Sequence, residues 1–152
     1  MENDDRIENF ETIELIKELI ESEKKSLTFY NLLLNQINDD DDTYIIRKIM
    51  NNQIKHINIL KELIFDITNT HINDIRSIYI ENRCNDNYLK NLKNVLFDEM
   101  EIMKKYGMAL NLMPDTHKYN MIMEILIDKI CHLNMFNFLI SQNICNRVED
   151  NS

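Results

Sequence analysis

The chain has 152 residues, with 26 acidic and 17 basic side chains, a net charge of −9, one Gly, one Pro, no Trp and three Cys. So little Gly and Pro cannot supply the tight turns of sandwiches, barrels or doubly wound sheets, which points to a single all-α domain. A hydrophobic content of 44% excludes a disordered chain, and the acidic balance argues against nucleic acid or an anionic membrane as partner, since both select clustered Lys and Arg.

The stretch Met1 to Glu14 is polar and acidic, with no basic start ahead of an apolar run, so no signal peptide is expected. No apolar run approaches membrane-spanning length. Cys84, Cys131 and Cys145 are odd in number and form no CxxC pair, which suits a reducing compartment. The expected location is the cytoplasm.

From about Glu11 to Ile37, apolar residues recur at Ile16, Leu19, Ile20, Leu27, Tyr30, Leu33, Leu34 and Ile37, the spacing of one helical face. The acidic run Asp39 to Asp42 ends that helix and offers N-caps for a second, expected from about Thr43 to Asn69. This run reads as a solvated turn, because the ligand spacing and closing Glu of a calcium loop are missing. The polar segment Thr70 to Asn87, with a short helix expected around Ile72 to Ile80, is too long for a tight turn. A third helix is expected from about Tyr88 to Leu112. Pro114 then breaks the pattern, Asp115 or Thr116 caps a fourth helix from about Thr116 to Asn143, and the tail from Asn146 is expected to fray. Connections that are short, long and short describe a four-helix bundle of two hairpins joined by a crossover, with no further domain.

Residues 13–68 align without a gap on residues 89–144 when 76 is added to each number. Apolar positions coincide, as in Ile16 with Leu92, Leu34 with Leu110, Ile49 with Ile125 and Leu63 with Leu139. Three polar coincidences carry chemistry: Glu23 with Glu99, Tyr30 with Tyr106, and His56 with His132. Glu23, Leu27 and Tyr30 lie four and seven positions along one helical face, so Glu23 points into the apolar stripe, where an unpaired carboxylate is costly. The same holds for Glu99 with Met103 and Tyr106, while His56 and His132 share faces with Leu60 and Phe136. Two carboxylates and two imidazoles are therefore expected to converge in one core.

This constellation resembles the ferritin-like di-metal carboxylate proteins, which place one Glu on each of two helices and a Glu-x-x-His on each of the others. The E-x6-Y spacing of Glu23 to Tyr30 and of Glu99 to Tyr106 is similar to that of the rubrerythrin-type branch, although no rubredoxin-type CxxC pairs are present. The resemblance spans roughly Ile13 to Ile144 and implies a ferritin-like four-helix bundle with Glu23, His56, Glu99 and His132 as metal ligands, held by Tyr30 and Tyr106. The chain departs from the pattern at both bridging carboxylates, where it carries Gln53 and Lys129.

With Lys129 charged, the set Glu23, Glu99 and Lys129 carries a net −1, and one protonated histidine would neutralise it without any metal. Asp128 and Asn52 precede the substituted positions, but one residue along a helix turns the side chain by about 100° away from the site. The expectation is a degenerate di-metal site without cofactor, in a non-catalytic scaffold or binding protein. The alternative is a redox protein holding iron or zinc and handling oxygen, peroxide or iron at a remodelled site. A homodimer is an open option, because Phe29, Leu32 and Met108 lie off the main stripe.

Overall fold

The computed structural model describes residues 2–73 and 86–149, and within them it is all-helical: α1 (Glu2–Leu34), α2 (Asp40–Thr68), α3 (Tyr88–Asn111) and α4 (Thr116–Glu149). Helix α1 packs on α2 and α3, and α4 packs on the same two, so α1 and α4 face each other across one diagonal. No described helix is long and apolar enough to cross a membrane. Cys84 and most of the short helix expected around Ile72 to Ile80 lie outside the described residues.

Helix ends follow capping chemistry. Asp39 has extended backbone and accepts from the amides of Asp41 and Asp42, so α2 starts three residues before the expected Thr43. Asp115, the position 76 further on, accepts from the Lys118 amide and caps α4. Asn87 does the same for α3 through the Lys90 amide. Asn69 closes α2 in the left-handed conformation (φ 53°), with its N–H on the Phe65 carbonyl at 2.7 Å, a role that Asn tolerates.

Helix α1 begins at Glu2, ahead of the Glu11 expected from its apolar stripe. The stripe marks only the part that packs on neighbours, and Phe10 before it is 65% exposed. At the other end α1 stops at Leu34 because the next amides bond three residues back, Gln36 to Leu33 at 2.9 Å, which tightens the turn. Helix α4 continues past Asn143 to Glu149; Arg147 lies in its last turn, where a cation favours the helix dipole, and reaches the Asn87 side chain at 3.4 Å. Of the residues off the main stripe, Phe29 and Leu32 are partly buried and Met108 is exposed.

The core is layered. Ile16, Leu19, Leu60, Leu63, Ala109 and Ile125 belong to one apolar cluster, and Leu33, Ile46, Ile49, Leu92, Phe136 and Leu139 to another. Along every helix the two clusters are separated by the buried polar residues Glu23, Gln53, His56, Glu99, Lys129 and His132. Helices α1 and α4 run from the first cluster to the second, and α2 and α3 run from the second to the first.

One member of the acidic run is not solvated. Asp40 and Asp41 are exposed, but Asp42 is buried and accepts from the Tyr88 hydroxyl at 3.2 Å and the Asn143 amide at 3.0 Å. This corrects the reading of the whole run as a solvated turn. Its carboxylate ties the starts of α2 and α3 to the end of α4, and beside it buried Asn91 donates to Gln36 at 2.8 Å. Asp39→Ala removes a cap and should cost about 1 kcal/mol. Asp42→Ala takes the shared acceptor from two groups and should cost more, about 2 kcal/mol. Urea midpoints at constant slope compare the two, and an equal or smaller loss for Asp42→Ala would contradict this account.

Candidate functional site

Each helix contributes to the polar layer: Glu23 and Tyr30 from α1, Asn52, Gln53 and His56 from α2, Glu99 and Tyr106 from α3, Asp128, Lys129 and His132 from α4. The six residues named as ligands or bridging substitutes, Glu23, Gln53, His56, Glu99, Lys129 and His132, are all fully or almost fully buried. The sequence-based set therefore comes together in one place.

At its centre lies the Lys129 ammonium. Nζ donates to Glu23 Oε2 at 2.8 Å, Gln53 Oε1 at 2.9 Å and Glu99 Oε2 at 3.0 Å, with Glu99 Oε1 at 3.3 Å. Three N–H groups meet three side chains, which is all an ammonium offers. The remaining carboxylate oxygens are taken by the tyrosines, each from the other half of the chain. The Tyr30 hydroxyl donates to Glu99 Oε1 and the Tyr106 hydroxyl to Glu23 Oε1, both at 2.5 Å. Burial, reinforced by those carboxylates, holds both phenols well above their ordinary pKa, so they remain donors at neutral pH. Gln53 Nε2 adds a longer bond to Glu99 Oε1 at 3.3 Å.

Two carboxylates facing one ammonium leave one charge in excess. For Glu99, burial pushes the pKa up but the Lys129 ammonium and the Tyr30 hydroxyl outweigh it, and the carboxyl is held below the usual range. For Glu23, burial prevails over Lys129, the neighbouring Glu99 charge adds to it, and the pKa is raised. The excess charge belongs to the Glu23–Lys129–Glu99 group as a whole.

The histidines do not neutralise it. Burial first, together with repulsion from Lys129, lowers both His56 and His132 to about 4, so both are neutral at pH 7. With both imidazoles neutral, the net −1 of Glu23, Glu99 and Lys129 is not offset by either ring. The rings stand 5.6 Å apart, centroid to centroid. His56 Nε2 lies 3.1 Å from Asp128 Oδ2 and Nδ1 lies 3.2 Å from Gln53 Oε1, so a neutral ring has one N–H for two acceptors. His132 Nε2 lies 3.1 Å from the Asn52 amide nitrogen, and its Nδ1 is buried without a hydrogen-bond partner.

Asp128 and Asn52 are the site residues that sequence reasoning left aside. Neither replaces a bridging carboxylate. Turned away from the centre as expected, each reaches instead the outer nitrogen of the histidine in the opposite half, Asp128 that of His56 and Asn52 that of His132. The signal lay in the alignment, because 52 and 128 are themselves 76 apart, as are 56 and 132.

A groove of about 760 Å³ between α1 and α3 is lined by Lys25, Ser26 and Phe29 on one side, Asp98 and Lys105 on the other, and by Tyr30 and Glu99. It touches the layer from the Tyr30 side. The chain matches no protein-family model, no curated protein and no solved structure with which it was compared.

Lys129→Met leaves Glu23 and Glu99 buried without their counter-charge and should cost about 3–5 kcal/mol at neutral pH. Adding Glu23→Gln and Glu99→Gln removes the stranded charges and should recover most of that loss in the same urea titration. The histidines predict a pH dependence of opposite origin. Their folded pKa of about 4 lies below the ordinary 6.5, so between those values the unfolded chain binds protons that the folded chain does not. Stability attributable to them is complete above about pH 6.5 and falls as the pH drops towards about 4. His56→Gln with His132→Gln should flatten that slope; an unchanged slope would contradict the assignment.

Proposed function

We propose that this chain is a ferritin-like bundle of the rubrerythrin type, two related hairpins joined by a crossover, whose di-metal site has been replaced by an internal ion-pair network, and that it acts without catalysis as a scaffold or binding protein. The observation that carries this is Lys129: its ammonium donates to both carboxylates and to Gln53 at 2.8 to 3.0 Å. A fixed cation among the acids supplies the counter-charge that metal ions supply in the family and repels an incoming cation. The residues present do not fit a di-iron centre, since both bridging carboxylates are absent and both remaining acids are already paired.

Support for the bundle topology comes from the order of layers. Helices α2 and α3 run in the same sense, and their starts share Asp42 through the Tyr88 hydroxyl, as a crossover between them requires. Support for the relation between halves comes from reciprocity: Tyr30 binds Glu99 as Tyr106 binds Glu23, and Asp128 meets His56 as Asn52 meets His132. With the interior occupied in this way, any activity belongs to the surface.

One observation favours a second reading, a metal-binding redox protein with a remodelled site. His132 Nδ1 is buried without a partner, and both imidazoles are neutral, the form in which they ligate metals. Protein purified without chelator and analysed for metals separates the two. The first reading expects far less than one equivalent of iron or zinc per chain and no oxidation of ferrous iron above the buffer rate. About one equivalent, lost in Glu23→Ala or His132→Ala, would overturn it in favour of the second.

A further inference from the structure

The outward ridge of α4 differs from the rest of the surface. In a chain that is 28% charged, the segment from Ile130 to Asn146 holds no Asp, Glu, Lys or Arg. Ile127, Ile130, Phe138, Ile144 and Val148 are all exposed on this helix, Phe138 at 55%. From Ile127, alternate steps of four and three residues pass through Cys131, Asn134, Phe138, Ser141 and Cys145 to Val148, and every one of them is exposed. That is the spacing of a coiled-coil seam, kept for three heptads with Asn134 and Ser141 as its polar positions and facing away from the bundle's own core.

We infer that this ridge is the docking surface for a second copy of the chain, α4 against α4 in antiparallel orientation about a two-fold axis. Three observations select that occupant. The ridge is self-complementary: a two-fold axis level with the Asn137–Phe138 step sets Ile127 opposite Val148, Cys131 opposite Cys145, Asn134 opposite Ser141 and Phe138 beside the same residue of the other copy, apolar on apolar and polar on polar. Its two polar members bear burial well, because the Asn134 amide already donates to the Ile130 carbonyl at 3.2 Å and the Ser141 hydroxyl to the Asn137 carbonyl at 2.8 Å. Finally, two copies each bearing −9 repel wherever their acidic faces meet, and this uncharged strip lets them approach without that cost. The strip is about 30 Å long at 1.5 Å per residue, and Phe138 at its centre is the anchor.

Sedimentation equilibrium at tens of micromolar tests this on the whole chain. The expected mass is twice 18.3 kDa for the wild type and for Phe97→Glu, which changes an equally prominent phenyl group on α3. Phe138→Glu and, independently, the milder Ser141→Glu should sediment as monomers, with circular dichroism showing their helix content unchanged. Asn134→Glu combined with Ser141→Lys should remain dimeric, since in the antiparallel arrangement each new carboxylate meets the new ammonium of the other copy. A monomeric wild type, a dimer that survives both Phe138→Glu and Ser141→Glu, or a dimer lost in Phe97→Glu would each overturn the proposal, and loss of the dimer in the charge-pair variant would overturn the antiparallel arrangement.

Discussion

One ammonium group governs the centre of this molecule. Lys129 Nζ and the three side chains it meets, Glu23, Gln53 and Glu99, are screened from water, and a charge there is tolerable only because its three N–H groups meet three acceptors. The acids are in turn acceptable only because Lys129 and the two tyrosines account for all four of their oxygens. Remove any member and another is stranded. Stability does not call for such a layer, since well-packed apolar residues often do as well or better in place of a buried ion pair. The network is better understood as a constraint on which arrangement the four helices adopt than as a source of folding energy.

The layer divides the apolar core into two plugs, and the plugs protect the layer. Ile16, Leu19 and Leu60 belong to one, Leu33, Ile49 and Phe136 to the other. By excluding water they strengthen each polar contact between them, and they also make ionisation of the imidazoles expensive. This is why His56 and His132, flanked by a fixed cation, stay neutral beside acids that would raise their pKa in open solution.

Most of the architecture was readable in the residues because helical periodicity is a one-dimensional signal. The spacing of Glu23 with Tyr30, and of His56 with Leu60, already placed polar groups on apolar faces, and the alignment of the two halves showed that they meet at one level. Partner choice was less accessible. That Tyr30 serves Glu99 and not the Glu23 seven residues before it depends on how α1 and α3 lean together, which no local spacing encodes. Asp128 was passed over because its rotation excludes it from the centre, yet the same rotation aims it at the far nitrogen of His56. Asp42 was hidden by composition: its three neighbours in the same acidic run are exposed, one capping α2 and two in its first turn, and only the arrival of Tyr88 and Asn143 from distant parts of the chain buries the fourth.

The crossed tyrosine contacts carry a consequence for how the chain reaches this state. Helices α1 and α2 alone would bury Glu23 with neither Tyr106 nor Lys129 available, and α3 and α4 alone would bury Glu99 and Lys129 without Tyr30 or Gln53. Neither pair is a self-sufficient intermediate, because each keeps a debt of unsatisfied polar groups that only the other can discharge. The layer is therefore complete only when both pairs have met, and a slip of one helix by a single turn forfeits every contact which that helix makes in it. A polar interior of this kind works as a proofreading step: apolar plugs would accept many registers, and the layer accepts one.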